Sequence, residues 1–146
     1  MSSSLCWMPK KDSKMEFDSK KLLVVDDDEI ILDVLSQLFA RLGHEVIIAN
    51  NAYSGLNLFR KRKFDIVFSD YDMPGMDGIT FAHHLKAISP DTLVILMTGH
   101  DRASIMKQIE NSKIDLVLSK PFDFPEIMHI FQEQRIRPEE RRRQAL

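Results

Sequence analysis

The sequence predicts an α/β domain in which a five-stranded parallel sheet carries helices on both faces. Two observations lead there. Five short apolar runs alternate with five stretches whose apolar residues recur at intervals of three and four, and acidic, hydroxyl and lysine side chains stand where the apolar runs stop. Alternation of this kind favours parallel strands, because each right-handed crossover needs a helix and each helix needs a sheet face on which to bury its apolar stripe. A length of 146 residues suits one core rather than two domains and a linker.

The first apolar run, 21–25, ends abruptly in Asp26, Asp27 and Asp28, as expected of a buried strand whose C-terminal end meets water. Over 30–42 the apolar residues Ile31, Val34, Leu35, Leu38, Phe39 and Leu42 take helical spacing, Asp27 or Asp28 can cap the start, and Gly43 suits the stop. A second strand is expected at 45–49, a second helix at 53–61 with Leu56 and Phe59 inward, and a third strand at 64–69. Pro74, Gly75 and Gly78 mark a loop, followed by a third helix that ends before Pro90. The fourth strand is read at 93–97, the fourth helix at 102–111, the centre of the fifth strand at 116–118 and the last helix at 124–134. Residues 1–19 read as a flexible leader, 20–135 as the folded domain and 136–146 as a charged tail or truncated linker.

Composition excludes several classes. A formal charge of -2 gives no global attraction to nucleic acid or anionic lipid, and the arginines near the C-terminus come without a recognition scaffold, so direct nucleic-acid binding is not expected. One cysteine rules out a disulfide framework or a thiolate zinc cluster, and no apolar run approaches the length of a membrane span. The expected setting is cytoplasmic, without membrane insertion.

The predicted sheet gathers distant residues at its carboxyl edge: Asp26 and Asp27 after strand one, Asp70 after strand three, Thr98 after strand four and Lys120 after strand five. Three carboxylates in one crevice repel one another, and a divalent cation relieves the repulsion; an all-oxygen ligand set favours Mg2+. Asp70 is then the candidate nucleophile, with Lys120 a positive charge for phosphoryl oxygens, Thr98 a hydroxyl donor, and Gly99 a position without a side chain beside an incoming phosphate.

The segments LLVVDDDE (22–29), DYDMPGMDG (70–78), MTG (97–99) and SKPF (119–122) resemble the motifs of the response-regulator receiver domain of two-component signalling. The resemblance implies the flavodoxin-like, doubly wound fold with strand order 2-1-3-4-5, Asp70 as phosphoacceptor, Asp27 as direct metal ligand, Asp26 acting through water, and the Asp72 backbone carbonyl completing the metal shell. It further implies Thr98 as switch hydroxyl and Lys120 as phosphate partner, followed by Pro121 in a bond usually cis. His100 falls where, together with Asp72, side chains tune access of water to the acyl phosphate. The implied donor is a sensor histidine kinase or a histidine phosphotransfer protein, and the implied output is a surface change, with homodimerisation through helix four, strand five and helix five as one form of it. Such a domain assists its own phosphorylation and dephosphorylation but is not a dedicated enzyme.

One position departs from the family. Val117 stands where an aromatic residue is usual, and a short β-branched side chain cannot sweep a comparable volume. The expectation is that the 98–102 loop and helix four move while Val117 stays, the alternative being a phosphate relay or sink with weak output. Two rival functions, a magnesium-dependent phosphatase using an aspartyl phosphate and a degenerate binding module, fit less well. The chain shows no cap insertion for the first, and the full set of reactive groups argues against the second.

Overall fold

The computed structural model describes residues 19–133, so the expected leader and tail, with Gln134 and Arg135, lie outside the described residues. The elements are β1 (Lys21–Val25), α1 (Glu29–Arg41), β2 (Glu45–Ala49), α2 (Ala52–Lys61), β3 (Ile66–Asp70), α3 (Gly78–Ile88), β4 (Leu93–Thr98), α4 (Arg102–Ile109), β5 (Leu116–Ser119) and α5 (Phe124–Glu133). All strand pairs are parallel, and the sheet order is β2-β1-β3-β4-β5.

Strand periodicity divides the core in two. Leu22, Val24, Ile66, Phe68, Ile95 and Met97 face a cluster completed by α1 and α5, with Leu35, Phe39, Ile127 and Phe131. Leu23, Val25, Val67 and Val94 face the opposite cluster, completed by α2 and α3 through Leu56, Phe59, Phe81 and Leu85. Because β1, β3 and β4 are covered on both faces, their sequences are continuous apolar runs rather than alternating ones.

Polar side chains start each of the first four helices. Asp28 accepts from the Ile30 N–H at 2.9 Å, Asn51 from Ser54 at 2.8 Å, Asp77 from Thr80 at 2.8 Å and Asp101 from Ser104 at 3.3 Å. After α1, Gly43 turns the chain at a φ of 94°, a left-handed conformation that glycine adopts without a Cβ clash.

The fourth strand runs one residue beyond its expected end, to Thr98, and the third differs more. The third begins at Ile66 and includes Asp70, whereas the sequence predicts 64–69. Phe64 is apolar because its ring stacks on Phe59 of α2, with centroids 6.0 Å apart, and not because it belongs to the ladder. Likewise α4 stops at Ile109, two residues short of its predicted end.

Candidate functional site

β1 and β3 are neighbours, and the sheet order reverses between them, since β2 lies beyond β1 and β4 beyond β3. Side chains leaving the carboxyl ends of both strands therefore enter one crevice, the usual ligand position in an open α/β sheet. Asp26, Asp27 and Asp70 meet there, each with a carboxylate oxygen within 4.8 Å of the others.

The three carboxylates are not equivalent. Asp26 is fully buried, and both its oxygens are engaged: Oδ1 accepts from the Asp28 N–H at 2.9 Å and Oδ2 from Lys120 Nζ at 3.0 Å. Asp27 is exposed, and its carboxylate makes no hydrogen bond or ion pair among the described residues. Asp70 is 5% exposed, and its Oδ1 accepts from Lys120 Nζ at 3.1 Å. Lys120 thus bridges β1 and β3 from the end of β5, held in place by its own N–H, which donates to the Thr98 carbonyl at 2.8 Å. The Lys120–Pro121 peptide bond is cis.

Burial pushes the Asp70 carboxyl up to about 6, and the negative charge of Asp26 adds to that, while Lys120 opposes it. Lys120 is itself held above the ordinary lysine range: burial disfavours its charge, but Asp26 and Asp70 together outweigh burial. One ammonium facing three carboxylates leaves a local charge of minus two, so burial first and carboxylate repulsion second outweigh the pull of the lysine on Asp70. A hard divalent cation matches this deficit in charge and in ligand chemistry, since the donors are oxygens.

The rim follows from the adjoining loops. Thr98 is buried at the end of β4, and its Oγ1 accepts from the His100 N–H at 2.9 Å. His100 Nε2 lies 2.7 Å from Asp72 Oδ2, which joins the loop after β4 to the loop after β3. A Cβ on Gly99 would meet no atom within 4 Å, so the space beside it is open. Gly78 is the opposite case: a Cβ there would lie 2.5 Å from the Asp70 carbonyl oxygen and 2.6 Å from Leu96 Cδ1. Only glycine lets α3 start this close to the end of β3. Val117 sits on β5 opposite Leu96, half-buried and away from the carboxylates.

The residues predicted at the carboxyl edge therefore lie at the crevice or its rim, and Val117 lies within β5, as the sequence places it. Two neighbours were not foreseen. The Tyr71 hydroxyl donates to Gln108 Oε1 on α4, and the Tyr71 ring stands edge-on to His100. An aromatic residue directly after a strand-terminal aspartate was the available signal for Tyr71, whereas nothing in the sequence distinguishes Gln108.

Residues 22–132 match the response regulator receiver domain. The two-component response regulator ARR10 of Arabidopsis thaliana is 37% identical over 115 residues, which cover 77% of this chain and 20% of that protein. Sporulation initiation phosphotransferase F of Bacillus subtilis is 31% identical over 109 residues, covering 75% of this chain and 88% of that protein. The chain thus spans about a fifth of the plant regulator and most of the bacterial protein. Among solved structures, the signal receiver domain of an HD domain-containing protein from Pseudomonas fluorescens aligns with a TM-score of 0.72 at 34% identity, covering 80% of this chain and 94% of the other. With the carboxylate crevice at the sheet's switch point and the family match running from β1 into α5, this chain belongs to the response-regulator receiver domains of two-component signalling, which act as phosphoacceptors rather than as dedicated enzymes.

Proposed function

We propose that the chain is a signalling switch in which Asp70 accepts a phosphoryl group from a histidine kinase or histidine phosphotransfer protein, with Mg2+ as cofactor. The observation that carries this reading is Lys120, whose ammonium bridges Asp26 and Asp70 inside a crevice still short of two positive charges. Asp27, Asp70 and the Asp72 backbone carbonyl would hold the ion. Asp26, with both oxygens already engaged, acts from behind them. The ion, when bound, offsets carboxylate repulsion and the charge on the transferred oxygens.

This chain's residues do the rest. An Asp70 oxygen attacks phosphorus, a carboxylate–phosphorus bond forms, the phosphorus–nitrogen bond of the donor phosphohistidine breaks, and the imidazole nitrogen keeps the electron pair. Lys120 remains as counter-charge to the new phosphoryl oxygens, the Thr98 hydroxyl donates to one of them, and the open space beside Gly99 receives the group. Asp72 and His100, joined across the mouth, restrict the water that would hydrolyse the acyl phosphate.

The test is incubation with a small phosphodonor and Mg2+, followed by mass spectrometry. The wild type should accumulate one hydroxylamine-sensitive phosphate and Asp70→Asn none; a modification persisting in that variant would remove Asp70 from its role. In calorimetric titration Asp27→Asn should bind Mg2+ at least ~10-fold more weakly and Asp28→Asn about as well as wild type. Turnover without accumulation would favour the phosphatase, and an unmodified wild type the degenerate module.

For the output, one observation favours self-association: a groove of about 800 Å3 between α4 and α5 over β5, where Met106 is 48% exposed. Of the three apolar residues on α4, Ile105 is buried in the fold and Ile109 is half-buried, leaving Met106 as the outward one. Light scattering before and after phosphorylation tests for a dimer through this face. The proposed setting is the cytoplasm; among the described residues no helix is long and apolar enough to cross a membrane.

A further inference from the structure

Tyr71 follows Asp70 directly, and its backbone is fixed from both sides. Its N–H donates to the Met97 carbonyl and its carbonyl accepts from the Gly78 N–H, each at 2.9 Å. The half-buried side chain leaves the acceptor strand from this anchored position and makes two contacts. Its ring meets the His100 ring edge-on, with centroids 5.3 Å apart and planes at 86°, and its hydroxyl donates to Gln108 Oε1 on α4. The His100 backbone is in turn bonded to Thr98 Oγ1 at 2.9 Å.

α4 has little else to hold it. Ile105 is its one buried residue, and the Arg102 Nη2 contact to the Val117 carbonyl is stretched to 3.5 Å. A helix with so few buried contacts takes its position from its polar tethers. Val117 is too short and too stiff about χ1 to move α4 by changing rotamer. We propose that Tyr71 is the positioning residue that transmits the state of Asp70 to α4, through the His100 ring and the Gln108 side chain, in place of an aromatic side chain on β5. The inference rests on the proposed role of Asp70. When the Thr98 hydroxyl turns to a phosphoryl oxygen, the His100 N–H bonded to it must follow or lose its partner. The His100 ring then shifts against Tyr71, whose backbone cannot yield, and the change is taken up where Tyr71 meets Gln108.

The experiment uses the full chain as wild type, Tyr71→Phe, Gln108→Ala and the double variant. Phosphate uptake is followed by mass spectrometry, and hydrogen exchange of the 102–110 amides by NMR with and without beryllofluoride and Mg2+. Tyr71→Phe keeps the ring against His100 and removes only the hydroxyl. In the resting state each single variant should speed exchange in α4 by roughly fivefold, the effect of one lost net hydrogen bond, and the double variant should add nothing further. The beryllofluoride-induced change in α4 should shrink severalfold in the variants while Gln108→Ala takes up phosphate at the wild-type rate. An α4 response in Tyr71→Phe and Gln108→Ala equal to wild type, or additive effects in the double variant, would overturn the proposal. Should no variant, wild type included, take up phosphate or respond to beryllofluoride, the role of Asp70 fails, and resting-state exchange alone decides whether Tyr71 tethers α4.

Discussion

The buried middle of the sheet and its β5 edge are built very differently. β1 and β3 are enclosed: Leu22 to Val25 are fully buried, β3 is buried along its whole length, and helices pack on both faces. β5 and α4 each bury one residue, Leu118 and Ile105, and lie along an open groove. The carboxylates stand on the enclosed region, where small displacements would spoil their geometry. The lean edge is where movement costs least, because a segment with few buried contacts changes position at small free-energy cost.

Truncation in the enclosed region should give the largest effect. Phe68 on β3 has no exposed surface, and its ring lies 4.8 Å from Phe39 and 6.2 Å from Phe131. Phe68→Ala should lower stability by ~3–5 kcal/mol in urea denaturation. A loss below ~1 kcal/mol would mean that the enclosed half is not the rigid one.

Acid should discriminate the halves next. His44 is buried at the turn into β2, where its Nδ1 accepts from the Lys20 N–H at 3.0 Å and its ring stacks on Phe131 of α5 at 4.4 Å. Burial first, and the Lys20 charge second, lower its pKa to about 4. Only neutral imidazole can accept that hydrogen bond. Because the folded value lies below the unfolded one, the stabilisation is complete above about pH 6.5 and is lost as pH falls towards 4, while the unfolded chain takes up a proton that the folded chain refuses. Comparing wild type with His44→Asn between pH 7 and pH 4 should reveal a difference in pH dependence of ~3 kcal/mol; parallel curves would remove His44 as its source. The smallest effect belongs to the lean edge: Met106→Ala should change stability by no more than ~0.5 kcal/mol, measured in the same urea series.

What could be read from the chain follows the same division. β1 and β4 were legible because a short, continuous apolar run bounded by polar residues fits little besides a buried strand. Asp26, Asp27, Asp70, Thr98 and Lys120 were legible because parallel topology sends strand ends to one edge. Phe64 misled because a ring packed on a helix and a ring in a ladder look alike in sequence. The attachment of Lys120 to Asp26, the contact of Tyr71 with Gln108 and the stacking of His44 on Phe131 were not legible. Each joins residues dozens of positions apart, and no local period encodes such a pairing.

The close approach of Gly78 to Asp70 gives the domain a direction. With no room for a single methyl group between the start of α3 and the Asp70 carbonyl, the acceptor strand has an unyielding floor on that side. Beside Gly99, just after the neighbouring β4, the space is open. Under the proposed role of Asp70, a phosphoryl group there would meet a close-packed α3 on one side and open space towards the loop before α4 on the other. The proposed switch would then work as a valve, a rigid wall at Gly78 and a free side at Gly99 favouring a response on the α4 face.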